Sequence, residues 1–408
     1  MSRPTIAAVA RAAGVSVASV SRVLNGLPAT EEMAERVQRA VAELGYVPDA
    51  RARSLKVGRT FQLTLAVADV GNPVYVTMMR AVEEVVSAAG YRLVVTTTGP
   101  DVADEVALVR GMARGYADGL VISPLRVDDD LIKSIQECDV PVVVAGNVPA
   151  KAGVDTVRAN SPKGILLAVE HLLTTDRRKV AFVNGPVDTV PGTARAKGFA
   201  DAMKANNLTP VAQVEAEDFT FAAGREAGRR LLDQLGLGPA PVLSADGGGL
   251  AKVSPTAERG GRAEVSPTDE GGGPAGVSPT DEGGGPAGVS PSAEGAKAPG
   301  GPAPSNSVLP AAAGGGIDAV IAANDLLAVG VMHELAARNL KVPDDVAVIG
   351  MDDSELAEQS FPPLTSVNLG SAERGRRAAE LLLARIEDDS RAPRRIVVQP
   401  SLSVRRSS

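Results

Sequence analysis

From Phe61 onward the chain alternates short apolar runs with longer amphipathic stretches, and that alternation restricts it to one fold class. The apolar runs read as strands at Leu63 to Val67, Tyr91 to Thr96, Gly119 to Ile122, Val142 to Ala145, Val180 to Asn184, Val211 to Glu215, Ile317 to Ala322 and Val346 to Met351. Helical periodicity separates most of them, over 75–89, 103–114, 128–136, 161–174, 192–206, 222–235 and 325–339. Strands joined through helices close as right-handed crossovers between parallel neighbours, so an α/β body is predicted. So many strands imply two parallel-sheet subdomains instead of one.

Ligands of such sheets sit outside the carboxyl ends of the strands. Asp69, Asn72 and Tyr75 follow the first strand, Arg195 follows Val183, Asn324 and Asp325 follow Ile321, and Asp352 and Asp353 follow Ile349. A guanidinium, an amide, carboxylates and an aromatic ring suit a small polyhydroxylated ligand: Asp and Asn bond pairs of hydroxyls, and a ring covers the apolar side of a sugar. Each residue also has a purely structural reading. Asn324 could cap the next helix, Asp352 or Asp353 could cap a turn, and Arg195 could pair with a surface acid.

Enzyme signatures are missing. The sequence has no phosphate-binding Walker loop, no Gly-x-Ser-x-Gly elbow and no dinucleotide fingerprint; Ala68-Asp-Val-Gly-Asn-Pro73 stands after the first strand instead. His171 and His333 fall within helical patterns, and with the single Cys138 they cannot assemble a zinc cluster or an intrachain disulfide. No catalytic residue, metal or cofactor is therefore expected. Met1 to Val9 lacks a signal-peptide layout and no run of 18 apolar residues occurs, so a cytoplasmic protein with no membrane partner is expected.

The first 60 residues differ from the rest. They carry nine Arg or Lys against five acids, a net +4 in a chain whose total is −7. A basic head on an acidic body points to a polyanion partner for the head alone. Thr5 caps a short helix that Gly14 ends, and Ser16 caps a second, Val17 to Leu24, so the pair forms a helix-turn-helix. Val20, Val23 and Leu24 face inward, leaving Val17, Ala18, Ser21 and Arg22 on the face a major groove would meet. Thr30 opens a third helix, whose stripe of Met33, Val37, Ala40, Val41 and Leu44 packs against the first two before Gly45 and Pro48 stop it. The basic stretch Asp49-Ala-Arg-Ala-Arg-Ser-Leu-Lys56 is helix-compatible but too short to be stable alone.

Thr5-Ile-Ala-Ala-Val-Ala-Arg-Ala-Ala-Gly-Val-Ser-Val-Ala-Ser-Val-Ser-Arg-Val-Leu-Asn-Gly26, followed in register by Ala52-Arg-Ser-Leu-Lys56, closely resembles the headpiece of LacI-type (lactose/galactose repressor) transcription regulators. The body resembles the effector-binding part of the same family at Asn72-Pro73, Asp118-Gly119, Arg195-Ala-Lys-Gly-Phe199, Ala323-Asn324-Asp325, Val348-Ile-Gly-Met-Asp-Asp353 and Pro362-Pro-Leu-Thr-Ser-Val367. The resemblance implies a periplasmic-binding-protein-like body and a repressor that binds a palindromic double-stranded operator. It implies a homodimer, with a tetramer as the alternative, governed by a sugar-like effector in the cleft. It also implies that Val17, Ala18 and Arg22 read base edges, that Leu55 is a minor-groove wedge, that Arg195, Asn324 and Asp352 bond the effector, and that Phe219 is an aromatic wall.

The candidate DNA-binding set is Thr5, Ser16, Val17, Ala18, Ser21, Arg22, Asn25, Arg53, Leu55 and Lys56; the candidate effector set is Asp69, Asn72, Tyr75, Arg195, Phe219, Asn324 and Asp352. Three positions depart from the family. Ala8 replaces an acid that would complete a capping box with Thr5, Asn160-Ser161 stands where Asp-Asn is frequent, and Leu369 lies where some members are polar. A solute-binding protein or a cleft enzyme of the same α/β fold are the rival readings, which the head and the missing motifs oppose.

The expected layout is a headpiece at 1–49, a hinge helix and linker at 50–60, one subdomain at 61–160 with about 369–390 returning to it, and a second at 161–246 and 317–368 with about 393–408. The remaining stretch, 247–316, has 29 Gly or Pro in 70 positions, no aromatic residue and few large aliphatics. Val-Ser-Pro-Thr recurs every 12 residues at Val253, Val265 and Val277, then as Val-Ser-Pro-Ser at Val289. Such a repeat has no core face to stack, so a disordered low-complexity insertion is expected.

Overall fold

The computed structural model describes residues 4–47, 58–238 and 316–408. The chain divides into two units, Met1–Ala240 with Val308–Ser408 and Pro241–Ser307, and every described residue belongs to the first. The hinge helix expected within 50–60 and the repeat segment of 247–316 lie outside the described residues, apart from their edges at 58–60 and 316.

The head is three helices, α1 (Ile6–Ala13), α2 (Val17–Leu24) and α3 (Glu31–Leu44). Thr5 Oγ1 accepts a hydrogen bond from the Ala8 backbone at 3.3 Å and Ser16 Oγ from that of Ser19 at 3.1 Å, while Gly14 and Gly45 end their helices at φ +65° and +59°. With Ala8 in place of an acid, α1 has no acidic group in its first turn. Val9, Ala10, Ala13, Val20, Val37 and Ala40 form the buried centre. Leu44 departs from the expected stripe: it is 37% exposed, while Val41 and Tyr46 on either side of it pack against the buried centre.

The body follows as β1 (Gln62–Val67), α4 (Pro73–Ala88), β2 (Arg92–Thr97), α5 (Val102–Gly111), β3 (Leu120–Ser123), α6 (Asp129–Gln136), β4 (Val142–Val144) and β5 (Asp155–Ala159). It continues as α7 (Ser161–Thr174), β6 (Val180–Asn184), α8 (Val190–Ala205), β7 (Ala212–Glu215), α9 (Phe221–Gln234), β8 (Ala319–Ala322), α10 (Asp325–Ala337), β9 (Ala347–Met351), α11 (Glu355–Gln359) and β10 (Thr365–Asn368). It ends with α12 (Ser371–Glu387), β11 (Arg395–Val398) and β12 (Ser401–Ser403). Two six-stranded sheets result, ordered β11-β5-β4-β3-β1-β2 and β12-β10-β9-β8-β6-β7. All pairings are parallel except that of β12 with β10. The central strands are buried along their length, apart from Gln62 at the start of β1, as covering helices on both faces require.

The chain passes between the sheets at Asn160, at Leu369–Gly370 and at Gln399–Pro400, and these passages touch. The Asn160 backbone donates to Val398 O at 3.1 Å, and its side chain donates to Gln399 at 3.2 Å. The last passage corrects the expected layout, which assigned everything from about 393 to the second subdomain. β11 pairs instead with β5 in the first sheet, Arg395 opposite Thr156, and only β12 belongs to the second. The cause is Asp155, buried at 2% exposure, which accepts from the Arg394 backbone at 2.7 Å and from Arg385 Nε at 2.6 Å.

The described residues that flank 239–315 are Gly238, after α9, and Gly316, at the amino end of β8. Arg338, which closes α10 at that same end, donates to Leu237 O and to Asp233.

Helices α9 and α10 pack backbone to backbone. A Cβ built on Gly224 would lie 2.6 Å from Leu327 Cα, and one on Gly330 would lie 2.6 Å from Arg225 N. These glycines weaken their helices by about 1 kcal/mol each relative to Ala, and the close approach is what requires them. Gly330→Ala should therefore lower the melting temperature, because overpacking costs about 1–3 kcal/mol and outweighs the gain in helix propensity. An unchanged or higher transition in calorimetry would show that the helices separate without cost.

Candidate functional site

The carboxyl ends of both sheets open onto one cavity of about 570 Å³. All seven residues of the expected effector set line it. Asn72 and Tyr75 come from the first subdomain, at the start of α4, where Asn72 Oδ1 caps the helix by accepting from the Val74 backbone at 3.2 Å. Burial raises the Tyr75 hydroxyl above the usual tyrosine range, against a hydrogen bond with Ser123. Asp69, after β1, is exposed and accepts from the Gly71 backbone at 2.8 Å.

The second subdomain supplies Arg195, Phe219, Asn324 and Asp352. Arg195 projects from α8 and is buried; its guanidinium lies 5.7 Å from the centre of the Phe219 ring, and one amino group lies 3.4 Å from Asp352 Oδ1. The ring fits because Gly185 faces it: any Cβ there would collide with Phe219. Asn324 lines the cavity and also serves the capping role weighed above. Its Oδ1 accepts from the Leu327 backbone at 2.9 Å and its Nδ2 donates to Phe219 O at 2.9 Å, so one amide ties the helix start to the aromatic wall.

The two adjacent acids after β9 separate. Asp352 is buried in the cavity, with φ +102°, a region L-residues rarely occupy. Burial pushes its carboxyl up, and Arg195 and Arg374 counter that. Asp353 turns away to bond Arg405 at 2.7 Å, Ser403 at 2.7 Å and Asn368 at 3.1 Å. The strained turn is held by Asp325, which accepts from the Ser354 backbone at 2.8 Å, Ser354 Oγ at 2.7 Å and Ser366 Oγ at 2.5 Å. Burial, then the neighbouring Asp352, pushes the Asp325 carboxyl up to about 7. Asp325 does not line the cavity and acts by positioning.

Among the cavity residues that the sequence reading did not single out, one is charged and comes from the opposite subdomain to Arg195. Arg374, in the first turns of α12, lies among Arg376 and Arg377 and resembles a solvated helix face. The available signal was its place just beyond β10, whose polar Thr-Ser-Val-Asn does not read as a strand.

Contacts along the cleft join the subdomains. Glu105 Oε1 accepts from the Leu125 backbone at 3.0 Å, and Leu125 O accepts from the Val190 backbone at 2.8 Å. Arg126 grips Asp188 at 2.8 and 3.1 Å, and Arg80 meets Glu355 at 2.6 Å.

In the head, Val17, Ala18 and Arg22 are exposed on one side of α2, with Val17 at 45%. Ser21 is half-buried, and Asn25 Nδ2 donates to Ser21 O at 2.6 Å, closing the helix. Thr5 and Ser16 sit at helix amino termini as caps. Arg53, Leu55 and Lys56 lie outside the described residues. Among the described residues no single helix is long and apolar enough to cross a membrane, and no group of His, Cys, Asp and Glu could hold a metal ion.

Such a molecule, a helix-turn-helix head on a two-sheet body with a ligand-sized cleft, is of the effector-controlled, DNA-binding regulator class. Residues 5–49 match the model for bacterial regulatory proteins of the lacI family. Residues 60–236 match that for periplasmic binding proteins and the sugar-binding domain of the LacI family, and 288–408 match a periplasmic binding protein-like domain. The HTH-type transcriptional regulator CelR of Thermobifida fusca is 30% identical, covering 99% of this chain and 98% of its own. The ribose operon repressor of Escherichia coli K12 is 28% identical over 99% of each. A solved complex of the transcriptional regulator CelR with cellobiose aligns over 100% of both chains with a TM-score of 0.61 and 28% identity. The chain belongs to the LacI family of bacterial regulatory proteins.

Glu105 links the cleft to pH. Its Oε2 is buried with no partner among the described residues, and burial lifts its carboxyl from 4.5 to about 7. The folded state thus holds this proton more tightly than the unfolded chain, so the stability it confers is complete below pH 4.5 and is lost as pH rises through about 7. Glu105→Gln keeps the acceptor for Leu125, and should match the wild-type melting temperature near pH 4.5 and exceed it at pH 8. Parallel melting curves across that range would remove burial as the cause.

Proposed function

We propose that the chain is a cytoplasmic transcriptional repressor that binds a palindromic operator as a homodimer and responds to a sugar or sugar derivative in the cleft. The observation that carries this reading is the convergence of Arg195, Asp352, Phe219 and Asn324 from one subdomain with Asn72 and Tyr75 from the other, in a chain bearing an exposed helix-turn-helix face. CelR was solved with cellobiose, and the other named relative is the repressor of a ribose operon, which supports the sugar class.

In this reading Arg22 bonds a guanine edge, Val17 and Ala18 make apolar contact with the groove, and Thr5, Ser16, Ser21 and Asn25 orient the helix on the backbone. Arg53, Leu55 and Lys56 form the second DNA-contacting set, with Leu55 as the wedge. In the cleft, Asp352 and Asn324 accept and donate to hydroxyls while Phe219 covers the apolar ring face. Asp69 completes the set at the rim. A ligand touching both subdomains favours one angle between them, and that differential affinity is the whole of the coupling to DNA, typically about 1–3 kcal/mol.

In this reading the cleft serves binding, and neither histidine lines it. Both histidines are engaged elsewhere: His171 with Ser408 Oγ at 2.9 Å, and His333 edge-on to Phe221 at 5.0 Å.

Operator DNA selected from a random palindromic pool tests the head. Arg22→Ala should cost about 5–150-fold in affinity and relax preference at one base pair, and Leu55→Ala should weaken binding as well. Unchanged affinity and specificity in both would refute the assignment. For the cleft, titration calorimetry with a sugar panel should find a ligand whose binding is lost in Arg195→Ala and in Asp352→Ala. Binding indifferent to both would refute it.

A further inference from the structure

Within the cavity two guanidinium groups share one buried carboxylate. Arg195 comes from α8 of the second subdomain and Arg374 from α12 of the first, and both line the same space. Asp352 is the one buried carboxylate there, and it stands 3.4 Å from Arg195, longer than the 2.7–2.9 Å of a strong charge-assisted bond. The Arg195 side chain is 8% exposed, and its Nε is buried without a partner among the described residues.

Arg374 is worse provided for. It donates to Ser371 Oγ at 3.0 Å, and its Nε is likewise buried without a partner among the described residues. The nearest acid in sequence, Glu373, is held by Arg376 and Arg377, each at 2.8 Å. The other carboxylates around the cavity are exposed and engaged: Asp69 with the Gly71 backbone, Asp218 with the Phe219 backbone and Asp188 with Arg126.

Arg374 also sits near the amino end of α12, where the helix dipole disfavours a cation. Burial and the facing Arg195 push its pKa down, while Asp352 supports its charge. A half-buried guanidinium near another guanidinium, with its buried Nε unused, lowers stability unless something else completes it.

We infer that the effector carries an acidic group, a carboxylate or a phosphate monoester, seated between Arg195 and Arg374. This rests on the reading of the cleft as the effector site. The planar, multi-donor guanidinium suits such an oxyanion, and the two unpartnered Nε donors match its spare lone pairs. A neutral hydroxyl satisfies one donor and cancels no charge. The acidic group would also set the coupling: seated between Arg195 and Arg374, it draws a guanidinium of each subdomain onto the same ligand. Asp352, Asn324 and Phe219 remain for the polyhydroxylated part.

Titration calorimetry of the full chain would use pentoses, hexoses and disaccharides, each as the neutral sugar, the sugar acid and the sugar phosphate, with inorganic phosphate alone beside them. At least one acidic compound should bind about tenfold or more tightly than its neutral parent, and the carboxylate and phosphate arms identify which acid is used. Arg374→Met should abolish that preference while changing affinity for the neutral parent less than about threefold, and Arg374→Lys should restore part of it. A neutral sugar binding as tightly as its acids would overturn the inference and leave the sugar-cleft reading standing. No binding by any compound would overturn both. The wild-type comparison decides the matter even where a variant fails to fold.

Discussion

The body depends on a constraint of chain path. Three strand-to-neighbour passages run side by side between the two sheets, and they pack tightly enough that side chains are excluded at their centre. A Cβ on Gly370 would collide with Val398, and one on Gly164 would press on Leu369 and Val367, residues of a different passage. With the sheets joined there, their carboxyl ends must look into a shared space, and each strand-end residue becomes a wall of it. The cavity needs no dedicated scaffold beyond this crossing.

How much of this was legible in the sequence follows from what each element is made of. Strands buried on both faces announce themselves: Leu120–Ser123, Val180–Asn184 and Ala347–Met351 are runs of apolar residues flanked by helices. β5, β10, β11 and β12, at or next to sheet edges, carry Asp, Thr, Arg, Asn or Ser, in β5 and β10 even at buried positions such as Asp155 and Ser366, which bond Arg385 and Asp325, so their pattern reads as loop. The misplaced tail follows from the same cause. Nothing local in Arg395–Val398 says which sheet it joins; the choice is made by Asp155, 239 residues away from Arg394 in the chain.

The cleft residues were legible because the rule that finds them depends on position past a strand and not on residue identity. The rule found residues past visible strands such as β1, β8 and β9, passed over Ser123 at the end of β3 and Asp218 after β7, and missed Arg374 where the strand itself was not visible. It could not say which of two neighbours would turn inward. Asp352 faces the cavity and Asp353 faces Arg405, a choice made by backbone strain at Asp352 and by the bonds that Asp325 makes to the following serine. Nor could it separate capping from ligand contact at Asn324, where the same amide caps α10 and reaches the Phe219 loop.

Gly316, the described residue that follows 239–315, lies at the amino end of β8, whereas the cavity lies beyond the carboxyl ends. An α/β layer is polar in this sense: one rim bears the chemistry and the opposite rim only joins helices to strands. Length added at the opposite rim alters no cavity wall, so selection on ligand recognition does not register it. The body can therefore lengthen at that port by tandem duplication over generations, and the same port is where a foreign domain could be grafted with the recognition rim left intact.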